Sequence, residues 1–341
     1  MHDPVVAAVM FLPPLAALRR RRTSPPLNHR ILVAVELRDL IEPTQLEGLD
    51  VTWIATGEPT PRGEWLAIVP LLTRWVGGTE LKNLPKLRIV ANVAVGYNNV
   101  DVVAAEMRGV MVTNTPGVLT EATADLTWAL ILATARRLVE GVDLVRSGKW
   151  TGWHPAQLLG LELQGRTLGL FGAGRIGQAV GRRARAFGLR ILYTARTPKP
   201  EFEREAGATR VDTSHLLADS HIVSLHVPST PDTKGIINAE TLARMKAGAI
   251  LINTSRGDLI REEALAIALE LGHLGAAGLD VYAEEPAIHP RLLAAPRTVL
   301  LPHIGSATEE TRRKMATIAI ANVQSVLSGK PPLTPVYSKV P

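Results

Sequence analysis

Apolar and polar positions follow one another in blocks along most of the chain. HRILVAVE (29–36), VTWIA (51–55), LAIVP (66–70), KLRIVANVAV (86–95) and MVTNT (111–115) are short apolar runs separated by polar or helix-period segments. Runs of this length, bounded by turn residues, predict strands. Strands that alternate with helices predict a parallel sheet covered on both faces. A second series follows: TLGLFG (167–172), RILYT (190–194), HIVSLHV (221–227), AILINT (249–254), AAGLDV (276–281) and TVLLPH (298–303). Most are continuously apolar, as strands buried on both faces are. Between the two series, residues 120–148 predict one long helix, with Thr120 as N-cap and Gly148 as its end. It is apolar around much of its surface, which predicts burial between domains or subunits. SATEETRRKMATIAIANVQSVLSGK (306–330) predicts a closing helix. The fold class is therefore α/β, with two parallel-sheet domains and the second one doubly wound.

Composition changes this picture little. The chain has 341 residues, 46% hydrophobic and 21% charged, the balance of a globular protein with two sizeable cores. With no cysteine, disulfides, thiolate metal sites and cysteine nucleophiles are excluded. No metal site is expected, and the cysteine usage is compatible with a cytoplasmic protein. The net charge of +6 sits mostly at one end, because residues 1–30 hold five arginines and a single acid, Asp3. A nucleic-acid-binding body would carry its basic surface on the fold, so no nucleic-acid partner is expected. The apolar run in residues 1–28 is short, is interrupted by Pro13 and Pro14, and precedes its arginines rather than following them. It suits neither a membrane span nor a secretory signal. It reads as a disordered extension, and no integral membrane association is expected.

Candidate chemistry starts at Gly172, Gly174 and Gly177, in G-x-G-x-x-G spacing between a strand and a helix, with Arg175 and Ile176 inside the motif. In that context the glycines allow a tight turn, close approach of a pyrophosphate and close helix–strand packing. The helix N-terminus then offers free N–H groups to the anion. In an NAD site, an Asp or Glu about 20 positions on would grip the adenosine ribose. Here Ala195 stands at the strand end, followed by Arg196 and Thr197, with Lys199 nearby. A cation there can pair with a 2′-phosphate. NADP(H) is the expected cofactor, with NAD(H) possible.

Three further strands end in polar residues: Arg256 in NTSRGD, Glu285 in GLDVYAEEP and His303 in LPHIGSAT. Open α/β sheets place ligands at such ends. Arg256 can hold a carboxylate and polarise a carbonyl, His303 can donate a proton, and Glu285 can orient and charge the imidazole. The set fits hydride transfer to a 2-keto acid. The other eight histidines read as structural.

With these segments, and with NVAVGYNNVDV (92–102) and NTPGVLTEATADLTWALILA (114–133), the chain resembles the D-isomer-specific 2-hydroxyacid dehydrogenase family from about residue 29 to about 335. YTART makes it most similar to the NADPH-preferring glyoxylate/hydroxypyruvate reductases. The resemblance implies a Rossmann-type cofactor domain (117–306) inserted into a discontinuous, flavodoxin-like substrate domain (29–116 and 307–341). It implies substrate binding at the amides of Val95 and Gly96, beside Arg256 and His303. It also implies Asp280 near the carboxamide, Thr254 and Ser255 along the cofactor, Pro228 and Thr233 at the adenosine side, and Gly305 by the nicotinamide. A homodimer built around the 120–148 helix, with a small 2-keto or 2-hydroxy acid as substrate, completes the expectation. D-3-phosphoglycerate dehydrogenation and a non-enzymatic, dinucleotide-sensing corepressor are the alternatives. The segment 1–28 and Ala283, where an acid is commoner, depart from the family pattern.

Overall fold

A computed structural model describes residues 29–337; residues 1–28, read above as an extension, lie outside the described residues. The first series of strands is β1 (His29–Ala34), β2 (Leu49–Ile54), β3 (Ala67–Val69), β4 (Ile89–Ala91) and β5 (Met111–Thr113). The second is β6 (Thr167–Phe171), β7 (Arg190–Thr194), β8 (Ala208–Arg210), β9 (Ile222–Leu225), β10 (Ile250–Asn253), β11 (Ala276–Leu279) and β12 (Thr298–Leu300). A last strand, β13 (Pro335–Val336), returns to the first sheet. The sheet orders are β13-β5-β4-β3-β1-β2 and β12-β11-β10-β9-β6-β7-β8. These are two parallel-sheet α/β domains. Each reverses direction at a switch point, between β1 and β3 in one sheet and between β6 and β9 in the other, where such sheets bind ligands.

Burial explains the continuous apolar runs. Every residue of β6, β9, β10 and β11 is buried. Leu130, Ile131 and Ala135 of the helix Thr120–Ala135 pack on one face of the second sheet with Leu168, Leu170 and Ile252. On the first sheet, Ala316, Ile320 and Val323 of the helix Glu309–Leu327 pack against Ile31, Val33 and Ile89. This helix begins at Thr308, whose side chain accepts from the Thr311 amide, an N-cap of the usual kind.

Two expectations are corrected, and two strands were not anticipated. The helix predicted over 120–148 is two helices, Thr120–Ala135 and Leu138–Arg146. The break is at Arg137, whose backbone is left-handed (φ 54°) and whose guanidinium bonds Glu140 at 2.6 and 3.0 Å. The first helix follows the sheet, whereas the second buries no residue, so the chain must turn between them. Thr120 is the first helical residue rather than the cap. Strands β8 and β13 have three and two residues, too short for an alternation signal, and β13 runs antiparallel to β5.

Candidate active site

The glycine motif sits where β6 meets its helix, at the second switch point. Gly172 has φ +104°, a region that L side chains rarely adopt. A Cβ on Gly177 would lie 2.2 Å from the Gly172 carbonyl oxygen, so glycine there is a packing requirement. Gly174 differs, because a Cβ on it would meet nothing within 4 Å. Its bareness leaves room over the N-terminus of the helix Arg175–Ala184, which has no side-chain cap. Open amides under free space suit a pyrophosphate.

The catalytic candidates converge from strand ends. Arg256 follows β10, Glu285 lies beyond β11 and His303 follows β12. His303 Nδ1 and Glu285 Oε2 are 2.7 Å apart, and Glu285 Oε1 accepts from the Tyr282 amide at 3.0 Å. His303 is left-handed (φ 55°), a conformation that costs energy and that functional sites retain. Burial works to raise the Glu285 carboxyl, but its bonds to His303 and the Tyr282 amide, with the nearby Arg256 charge, hold it below its ordinary value. Burial pushes the Arg256 guanidinium down, opposed by Glu285 and Asp258. A guanidinium starts so high that it stays charged.

The first domain supplies the opposite wall. A Cβ on Gly96 would lie 1.6 Å from Arg256 Nη2, so the guanidinium rests directly on the Gly96 backbone. Asn114 Nδ2 donates to the Val95 carbonyl at 2.8 Å and Asn92 Nδ2 to the Gly96 carbonyl at 3.0 Å. Asn92 is paired reciprocally with Asn99, which also ties the carbonyls of Leu71 and Arg74. Both carbonyls are thus held by asparagines. The Val95 and Gly96 amides find no acceptor among the described residues. Adjacent free amides beside a guanidinium make an anion nest.

A cleft of about 800 Å³ runs between the domains, bordered by Val95, Gly96, Arg256 and His303 at one end and by Gly174 and Arg175 at the other. Between them lies Asp280, 1% exposed. Its Oδ1 accepts from the Ile304 amide at 2.8 Å, and its buried Oδ2 has no hydrogen-bond partner among the described residues. Burial raises this carboxyl. An orphaned buried oxygen is costly unless something supplies a donor, and an amide group of a ligand would. Gly305 keeps the approach open, since a Cβ there would stand 3.2 Å from Oδ2. Thr254 bonds Thr127 at 2.8 Å, and Ser255 donates to the Val227 carbonyl. Pro228 borders the cleft. Thr233 does not; its hydroxyl donates to the Pro228 carbonyl at 2.7 Å and accepts from the Thr230 amide, stapling its own loop. His226 borders the cleft too, and burial pushes it down to about 4.

Ala195, Arg196 and Thr197 stand one strand away from the glycine motif, at the end of β7. Ala195 is half-buried against the core, and Arg196 and Thr197 are exposed. Arg196 and Lys199 form no ion pair among the described residues. Sequence reasoning missed the three asparagines, Tyr282 and Arg210, which reaches this loop from β8. The paired asparagines of NVAVGYNN were the one available hint.

Residues 128–305 match the model of the D-isomer specific 2-hydroxyacid dehydrogenase NAD binding domain. A glyoxylate reductase of Thermococcus litoralis is 51% identical over 270 residues, 78% of this chain and 82% of that protein. An NADPH-dependent glyoxylate/hydroxypyruvate reductase of Sinorhizobium meliloti, solved with NADP and malonate, is 37% identical, covers 90% of this chain and 96% of its own, and superposes with a TM-score of 0.78. A D-lactate dehydrogenase of Aquifex aeolicus, solved with NAD and lactic acid, is 25% identical over 88% of this chain and 96% of its own, with a TM-score of 0.80.

Proposed function

The chain belongs to the D-isomer specific 2-hydroxyacid dehydrogenase family of NAD(P)-dependent enzymes, and on that premise we propose that it reduces glyoxylate and hydroxypyruvate to the D-2-hydroxy acids with NADPH as preferred reductant. One observation carries the substrate class: Arg256 lies on the Gly96 backbone beside the free amides, with the His303–Glu285 pair on the same cleft. The nest and Arg256 receive the substrate carboxylate, and Arg256 also polarises the keto oxygen. When bound, the dinucleotide supplies a hydride to the carbonyl carbon. His303 gives its proton to the carbonyl oxygen as the C=O bond becomes C–OH. Its Nδ1 faces Glu285, so Nε2 is the nitrogen left to donate. Glu285, held anionic, stabilises the imidazolium before transfer. Asp280, with its unpartnered Oδ2, would hold the cofactor's carboxamide, and Thr254, Ser255, Pro228 and Gly305 would shape its groove.

The cofactor preference rests on the end of β7, where Ala195 and Arg196 stand in place of a ribose-binding acid. Initial rates with NADPH and NADH on wild type and Arg196→Ala test it. Each charge-assisted hydrogen bond to a 2′-phosphate is worth roughly 10- to 100-fold in NADPH efficiency. Arg196→Ala should therefore lower the NADPH rate by that factor and leave NADH unaffected. Equal use of both cofactors by the wild type overturns the preference.

The domain division 29–116 with 307–341 and 117–306 is part of the same reading, supported by which strands share a sheet. So is a homodimer. The helix Leu138–Arg146 exposes Leu138, Val139, Val142 and Val145, and Trp150 and Trp153 follow, 53% and 83% exposed. A second copy of the same face would cover this strip. Val142→Glu with Val145→Glu should yield a monomer by light scattering. No helix among the described residues is long and apolar enough to cross a membrane, and a cytoplasmic setting with free dinucleotide suits the reaction.

A further inference from the structure

The loop after β7 is tied from two sides. Arg210 ends β8, in register with Tyr193 of β7. Its Nε donates to the Ala195 carbonyl at 3.0 Å and its Nη2 to the Arg196 carbonyl at 3.2 Å. From the other side, the Tyr193 hydroxyl accepts from the Lys199 amide at 2.9 Å and donates to Glu203 at 2.5 Å. Lys199 Nζ reaches Thr197 Oγ1 at 3.2 Å. The turn that carries Arg196 and Thr197 is therefore built before any ligand arrives.

Arg210 changes the charge of this turn as well as its shape. It has no carboxylate partner among the described residues and remains exposed. It engages two carbonyl oxygens that would otherwise present negative dipoles around an incoming anion. Two bonds from one rigid planar fork hold two consecutive peptide groups in a set geometry, whereas an ammonium on its flexible stem offers rotatable donors without that planar constraint. Two cations of the turn, Arg196 and Lys199, and a third that reaches it from β8, Arg210, thus meet at a turn that contains no acid of its own.

We propose that Arg210 is the positioning residue of a site for a 2′-phosphorylated adenosine: its fork clamps the Ala195–Arg196 turn so that Arg196 and Thr197 meet the phosphate. The inference rests on the NADPH reading and deepens it. The test uses two fragments as competitive inhibitors, AMP and adenosine 2′,5′-bisphosphate, on the whole enzyme. The wild type should bind the bisphosphate at least about tenfold more tightly than AMP. Arg210→Gln should lose most of that preference through the bisphosphate alone, with AMP binding and the melting temperature unchanged. Arg210→Lys should not restore it.

Four outcomes overturn the proposal. If Arg210→Gln keeps the preference, Arg210 has no part in the site. If both fragments weaken alike, the residue only holds the loop. If Arg210→Lys restores the preference in full, charge and not the fork is what counts. If the wild type itself shows no preference, the NADPH reading fails first and takes this inference with it; only in that case does the wild-type arm fail.

Discussion

The catalytic cluster and the turn after β7 are built on opposite plans. At the catalytic end, His303 is bonded to Glu285 and Glu285 to the Tyr282 amide, while Arg256 rests on Gly96, where a Cβ has no room. Glu285 has both oxygens engaged, and Asp280 is buried to 1% exposure. In the turn after β7, which does not line the cleft, Arg196 and Thr197 stand exposed, and the turn is held through its main chain by Arg210 and Tyr193. The first plan fixes reacting groups to fractions of an ångström, which transfer of hydride and proton requires. The second fixes only a backbone and leaves side chains free to meet a charge. The chemistry is therefore hard to alter without losing it, whereas the choice of cofactor can change with surface residues at little cost to the fold.

The largest test of that contrast is His303→Gln, which removes the proton donor and should cost on the order of 10²- to 10⁴-fold in kcat with either cofactor. The cofactor preference should be untouched. A change in the NADPH to NADH ratio would break the separation of the two regions. Next is Gly96→Ala. Its Cβ would sit 1.6 Å from Arg256 Nη2, so the guanidinium must move, and a displacement of about 1 Å costs about 100-fold. Rates equal to wild type would mean that Arg256 does not need its seat on Gly96. Asp280→Asn should be milder. It keeps the shape and removes a buried charge that burial disfavours, so melting at neutral pH should not fall. The loss of an acceptor should raise the KM for NADPH and NADH alike, by roughly tenfold. A change for one cofactor only would mean that Asp280 senses the adenosine end.

What was legible in the chain follows the same division. The glycine motif, its strand and its helix could be read because local spacing dictates them; Gly172 and Gly177 prove to be glycine for conformational and packing reasons. Arg256, Glu285 and His303 could be read because each follows an apolar strand within a few residues, and strands end where ligands bind. The distance between Gly96 and Arg256 could not, since it depends on how two sheets face each other across 160 positions of chain. Nor could the asparagine clamp on the Val95 and Gly96 carbonyls, because an asparagine in a loop has no periodic signature. Arg210 escaped for a similar reason: β8 is three residues long, and its pairing with β7 is what carries the guanidinium to Ala195. The single helix expected over 120–148 failed at Arg137, where apolar periodicity continues through a left-handed residue that it cannot register.

The smallest expected effect concerns acid. Glu285 has its carboxyl held below the ordinary value in the folded protein. As pH falls, the unfolded chain therefore takes up this proton before the folded one does. The stability that the His303–Glu285 pair adds is complete above the unfolded value, about 4.3. It is lost as pH drops through the lower, folded value. The pair is about a quarter exposed on each side, so solvent screens it and the contribution should stay below about 1 kcal/mol. In melting temperature that is a difference of less than about 4 °C. Glu285→Gln keeps the shape and cannot titrate, so its melting curve should decline less steeply than that of the wild type between about pH 5 and 3. Arg196→Ala, in the turn after β7, should follow the wild-type curve throughout. Parallel decline of wild type and Glu285→Gln would mean that the bonds from His303 and the Tyr282 amide do not hold this carboxylate. A departure of Arg196→Ala from the wild type would mean that the turn after β7 is tied into the fold as firmly as the catalytic end.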